Sequence, residues 1–82
     1  MTKKENLNLA FEDANSSQAR FIFIGINADG VDEVIAIPSR SFEKKQEFYN
    51  NAYSDELVHV MNKSVSIFDF TYGDEEALSQ LI

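Results

Sequence analysis

The segment from Arg20 to Ile37 limits what this chain can fold into more than any other. Arg20-Phe-Ile-Phe-Ile-Gly-Ile-Asn27 is rich in Ile and Phe, Val31-Asp-Glu-Val-Ile-Ala-Ile37 follows it, and Asp29-Gly30 stands between them. Asp-Gly suits a two-residue type I′ turn, whose central residues both need positive φ, so the two runs predict a β-hairpin. With Asp29 and Gly30 as the loop, Ala28 faces Val31, Ile24 faces Ile35 and Ile22 faces Ile37. Side chains alternate across a strand. One face therefore carries Ile22, Ile24, Ile26, Ile35 and Ile37 with Glu33 at its rim, and the other carries Phe21, Phe23, Val34 and Ala36. Strict polar–apolar alternation is missing, so neither face is made for water. A fold built on this hairpin needs cover on both sides, from its own helices or from a second molecule.

The rest of the chain is read against that hairpin. Upstream, Leu7, Leu9 and Phe11 alternate and read as a strand. Leu7, Ala10, Phe11 and Ala14 also fit a helix, which Thr2 and Glu5 would open as a capping box. The strand is the preferred reading, ending in the polar stretch Asp13 to Gln18. Pro38 closes the hairpin, and Ser39 or Ser41 can cap a helix from about Phe42 to Tyr53 that turns Phe42, Tyr49, Ala52 and Tyr53 to one side. Ser54 is placed to cap a second, short helix over Asp55–Asn62, with acids in its first turn and Lys63 at its end, as the helix dipole favours. Val65-Ser-Ile-Phe-Asp-Phe-Thr-Tyr72 reads as a later strand, broken by Gly73. Asp74 then caps a final helical turn or two in which Ala77, Leu78, Leu81 and Ile82 dock. The expected fold class is α+β: a small antiparallel or mixed sheet, a three-stranded meander plus one later strand, with helices mainly on one face. The expected order is β-β-β-α-α-β-α, in one domain over 1–82 with residues 1–5 flexible.

Composition excludes several functions. The chain has no Cys and a single His, so thiolate metal sites, disulfide frameworks and cysteine nucleophiles are out of reach. Leu, Ile, Val and Phe supply 24 of 82 residues, well above the roughly 20% below which a charged chain tends to stay unfolded. The net charge is −7, and the cations are dispersed, which removes the basic face that phosphate neutralisation requires. No run approaches a membrane span, and Lys3 and Lys4 precede no continuous apolar segment, so an intracellular, cytoplasmic protein is expected.

Catalytic and ligand motifs fail one by one. His59 sits between Val58 and Val60 with no nucleophile in a Gly-x-Ser-x-Gly elbow, and reads as an ordinary packed or surface residue. Asn27-Ala-Asp29-Gly30 resembles the middle of a calcium loop, but Gly25 and Ala36 then occupy the positions that must be acidic. Gly25-x4-Gly30 lacks the Lys-Ser/Thr of a phosphate-binding loop. Paired carboxylates are a weak sign of a hydrolase in a chain this short, where chance proximity of acids is expected. No catalytic residue, cofactor or metal is therefore assigned. Phe21, Phe23, Phe68 and Phe70 lack interleaved cations and read as core rather than as base-stacking platforms.

What remains is surface. Residues 64–82 hold Asp69, Asp74, Glu75 and Glu76 and no cation, so −4 of the −7 lies there. These four acids are the candidate partner-binding residues. Asp74 to Glu76 also suit a helix N-terminus, whereas Asp69 lies inside a strand, where an acid that guards a sheet edge would explain it. The leading expectation is a non-enzymatic protein-interaction module, with another protein or a second copy as partner and no direct nucleic acid or membrane contact. One alternative, similar in size and charge alone to inhibitors encoded by mobile elements, is an acidic mimic of nucleic acid in the basic cleft of a DNA-binding protein. A carboxylate-dependent hydrolase is the other.

Overall fold

A computed structural model describes residues 1–81 of the chain; Ile82, expected to dock with the last helical turn, lies outside the described residues. The architecture is α+β, with a three-stranded antiparallel sheet in the order β2-β1-β3. Helix α1 spans Lys3–Ser16, β1 Phe21–Ala28, β2 Val31–Pro38, α2 Phe42–Ala52 and β3 Val65–Gly73. Short 3-10 helices follow β2 at Ser39–Ser41 and β3 at Glu75–Gln80.

The hairpin forms in the expected register, with Ile24 opposite Ile35 and Ile22 opposite Ile37. Asp29 and Gly30 take φ of 54° and 85°, the left-handed pair that a type I′ turn demands. Asn27 locks the turn, donating from Nδ2 to Asp32 at 2.7 Å and accepting the Gly30 N–H at 3.3 Å.

The first element is a helix, which corrects the strand reading of residues 6–14. Thr2 and Glu5 close both halves of a capping box, at 2.8 and 3.1 Å, so residues 3–5 form its first turn. Leu7, Ala10, Phe11 and Ala14 are buried at the helical period, while Leu9, the residue that made the alternation, is 42% exposed. The sheet is therefore a hairpin plus β3, with three strands where a meander and a later strand implied four. The helix ends in a Schellman motif: Ala19 N–H reaches Ala14 O at 2.9 Å, Gln18 N–H reaches Asn15 O at 3.2 Å, and Gln18 is left-handed at φ 58°.

The second correction concerns residues 55–62, which form no helix. Ser54 does act as a local acceptor, taking the Val58 N–H at 3.3 Å, but it closes a turn in which Leu57 is left-handed at φ 62°. The chain then runs beside β3: Ile67 donates to Leu57 O and His59 to Val65 O, both at 2.9 Å. β-Branched Val58 and Val60 suit this extended path better than a helix, and the turn drives the Leu57 side chain fully into the core. Helix α2 lies where expected, burying Phe42 and Tyr49, although Ser41 at its N-cap makes no side-chain capping bond. The last element is a 3-10 helix rather than an α-helical turn, capped as expected by Asp74, whose Oδ1 accepts the Glu76 N–H at 3.1 Å.

One core joins these pieces. Ile22, Ile24, Ile26, Ile37 and Ile67 from one sheet face pack with Leu7, Phe11 and Ala14 of α1, with Phe42 and Tyr49 of α2, and with Leu57. Each such aliphatic side chain contributes about 1.5–3 kcal/mol by leaving water. Asn8, Gln46 and Asn50 bond one another across α1 and α2 at 2.7–3.0 Å, fixing how the helices meet. On the opposite sheet face, the 3-10 helix at Glu75–Gln80 covers one end and the Phe68 ring lies over Gly25. At the end under the 3-10 helix Phe23 and Ala77 are buried outside the main cluster, and the Phe21 and Phe23 rings stack at 5.6 Å.

Two predictions follow from this packing. Gln18→Gly removes the strain of a left-handed side chain and should raise stability by about 0.5–1 kcal/mol, read as a higher urea midpoint at unchanged slope. Burial pushes the Tyr49 hydroxyl from its ordinary 10.0 up to about 12, with neighbouring Tyr53 adding to the rise. The folded chain thus keeps a proton that the unfolded chain releases. Its contribution is full below pH 10 and is lost as pH rises through about 12. Tyr49→Phe should flatten that alkaline decline in a pH series of thermal melts.

Candidate functional site

The phase of the hairpin decides which main-chain groups face outward. In a two-residue hairpin the residues flanking the loop exchange both ladder bonds, so Val31, Glu33, Ile35 and Ile37 bond to β1. Ser39 N–H to Arg20 O, at 3.0 Å, continues the same phase past the strand end. The N–H and C=O groups of Asp32, Val34 and Ala36 therefore point away from the sheet. No other element of the described residues pairs with them. The side chains along this edge leave it accessible too, with Val31 61% and Ile35 37% exposed and only Ile37 buried.

The opposite edge is covered along its first half and guarded at its bulge. Parity carried across β1 turns Val65, Ile67, Phe70 and Tyr72 outward on β3. Val65 and Ile67 bond to His59 and Leu57 of the preceding segment. Beyond them the register shifts between Gly25 and Ile26, a β-bulge in which Phe68 is the extra residue. Gly25 makes room for it: a Cβ there would stand 2.7 Å from the tip of the Phe68 ring. The bulge also positions Asp69, whose Oδ1 accepts the outward Phe70 N–H at 2.8 Å. A bulge, a covering segment and a charge are three established ways of blunting an edge, and β3 uses all of them. Strand β2 offers only Asp32 and Glu33 at its start and Pro38 at its end.

The four candidate acids do not form one patch. Asp69 is in the bulge, five residues along an extended strand from Asp74, or about 16 Å. Asp74 is committed to its cap. Glu75 stands 3.3 Å from Arg20, whose guanidinium also lies 5.7 Å from the centre of the Phe21 ring. That ion pair is exposed on both sides and worth little by itself. Glu76 is exposed, and its carboxylate has no partner among the described residues. Three of the four acids thus have intramolecular tasks. The Asp69 task could be suspected from sequence because a mid-strand acid needs a reason. The open β2 edge could not, because strand order is set by contacts far apart in the chain.

A groove of about 440 Å³ lies between the start of α1, the 56–58 segment and β3. Two acids line it, the pairing a hydrolase would need. Glu56, however, is 3.9 Å from Lys3 with both side chains mostly exposed, and Asp69 is held by Phe70. Both carboxylates are exposed. His59 Nδ1 accepts the Met61 N–H at 3.1 Å, and its ring meets Tyr53 edge-on at 5.2 Å. No group of three or more His, Asp or Glu among the described residues could hold a metal ion, and no described helix is long and apolar enough to cross a membrane.

If Asp69 guards the edge through its carboxyl oxygen, Asp69→Asn should keep stability near that of the parent. Asp69→Val should lose about 0.5–1.5 kcal/mol and scatter more light as concentration rises. Compared with family models, curated proteins and solved structures, the chain matches none, so the reading of its function rests on this geometry.

Proposed function

We propose that this chain is a non-enzymatic protein-interaction module of the cytoplasm that takes up an extended strand of a partner along β2. The observation that carries this reading is the contrast between the edges. β3 is covered, bulged and guarded, whereas β2 leaves Asp32, Val34 and Ala36 with unpaired donors and acceptors along an apolar strand. Strand addition uses such groups: main-chain bonds give affinity and alternate side chains give specificity. The nucleic-acid-mimic alternative is weakened by the dispersal of its acids and by the tasks that Asp69, Asp74 and Glu75 already have.

The test relies on the direction of one N–H. Ala36 donates away from β1, so Ala36→Pro removes a solvent-facing donor and leaves the hairpin ladder whole. The variant should keep its circular dichroism and lose a partner that the parent captures from its native cell. Neutralising the acids by Asp69→Asn, Asp74→Asn, Glu75→Gln and Glu76→Gln should leave capture intact. The reverse pattern, with capture falling steeply as salt rises, would instead support the mimic.

A further inference from the structure

Building on that reading, we infer that the strand taken up by β2 is the β2 strand of a second copy, joined antiparallel about a two-fold axis to make a continuous six-stranded sheet. Parity restricts the arrangement. Only residues whose main chain faces outward can exchange bonds, so the axis passes through a residue rather than between two, and the outward residues overlap most with it at Val34 or Ile35. Through Val34, Val34 meets itself and Asp32 meets Ala36 of the second copy. Through Ile35, Val34 meets Ala36 and Asp32 meets Pro38. Either way the pair gains about six main-chain bonds, in the pattern an antiparallel ladder allows.

Charge along the strand favours this partner and this direction. β2 begins beside Asp29, Asp32 and Glu33, has only apolar residues from Val34 to Pro38, and is followed by the exposed Arg40. An antiparallel copy sets each acidic start against the other's apolar stretch, with Arg40 lying beyond it on the same side. No acid opposes an acid in either register. Through Ile35 the nearest acids across the axis, the two Glu33 residues, stand about 13 Å apart along the ladder, beyond the roughly 8–10 Å over which exposed charges act in ordinary salt. Through Val34 they would stand only about 7 Å apart, so charge favours the Ile35 axis. Parallel pairing in register would instead stack Asp32 on Asp32 and Glu33 on Glu33, which is repulsive.

Area sets the strength. An eight-residue strand about 27 Å long on a sheet about 10 Å thick covers about 300 Å² per copy. That falls short of the roughly 800 Å² per partner of a stable interface, so the pairing is a weak, concentration-dependent one.

The absence of Cys from the chain gives a clean test. Light scattering should show the mass of the parent doubling as its concentration rises through the micromolar range, while Ala36→Pro stays at monomer mass with the same circular dichroism. Under mild oxidation either Val34→Cys or Ile35→Cys should cross-link two chains, because facing Cα atoms at the axis lie within disulfide reach. Met61→Cys, highly exposed but away from the edge, should not. A parent that is monomeric at high micromolar concentration overturns the inference, as does a dimer that survives Ala36→Pro. The strand-addition reading falls separately, if Ala36→Pro still captures the parent's cellular partner.

Discussion

The left-handed pair Asp29-Gly30 is the constraint on which the remaining architecture depends. A two-residue turn leaves no freedom in how β1 and β2 meet, and a slip of one residue would turn every Ile of the core face outward. By fixing the register, the turn sends Ile22, Ile24, Ile26 and Ile37 toward the helices. It also fixes the phase of the hydrogen-bonded ladder, and so decides that Asp32, Val34 and Ala36 are the residues facing outward. Core and candidate site are consequences of one local choice.

The two edges show how a small sheet divides protection from availability. On β3, a covering segment, a bulge over Gly25 and the Asp69 carboxylate act in succession along a single strand. The net charge of −7 takes a different meaning in this light. Much of the acidic tail serves to finish backbone hydrogen bonding, with Asp69 on Phe70 and Asp74 on Glu76, rather than to form a field directed at a partner.

What could be read from the residues followed the range of the forces involved. The hairpin and its register were legible because a turn is a four-residue matter, and the Asp74 cap was legible for the same reason. The first element was ambiguous because Leu7, Leu9 and Phe11 satisfy a period of two while Leu7, Ala10, Phe11 and Ala14 satisfy 3.6, and only the capping box separated the two. Residues 55–62 carried sound helix-start signals at Ser54 and Asp55. They were overruled by a distant requirement, the unpaired groups of Val65 and Ile67 on β3. The open edge was illegible because it exists only once β3 has chosen the far side of β1.

The left-handed Leu57 bears on the proposed pairing of two copies through β2. It anchors the segment that seals the first half of β3, and its positive φ is held by the burial of its side chain together with its backbone bonds to Ser54 and Ile67. A molecule with one open edge can pair once and is then complete. Should the Leu57 segment detach, the same molecule would present a strand on both sides, and each copy added would offer a fresh edge to the next. The segment that Leu57 anchors thus works with the bulge and Asp69 to keep the proposed pairing closed.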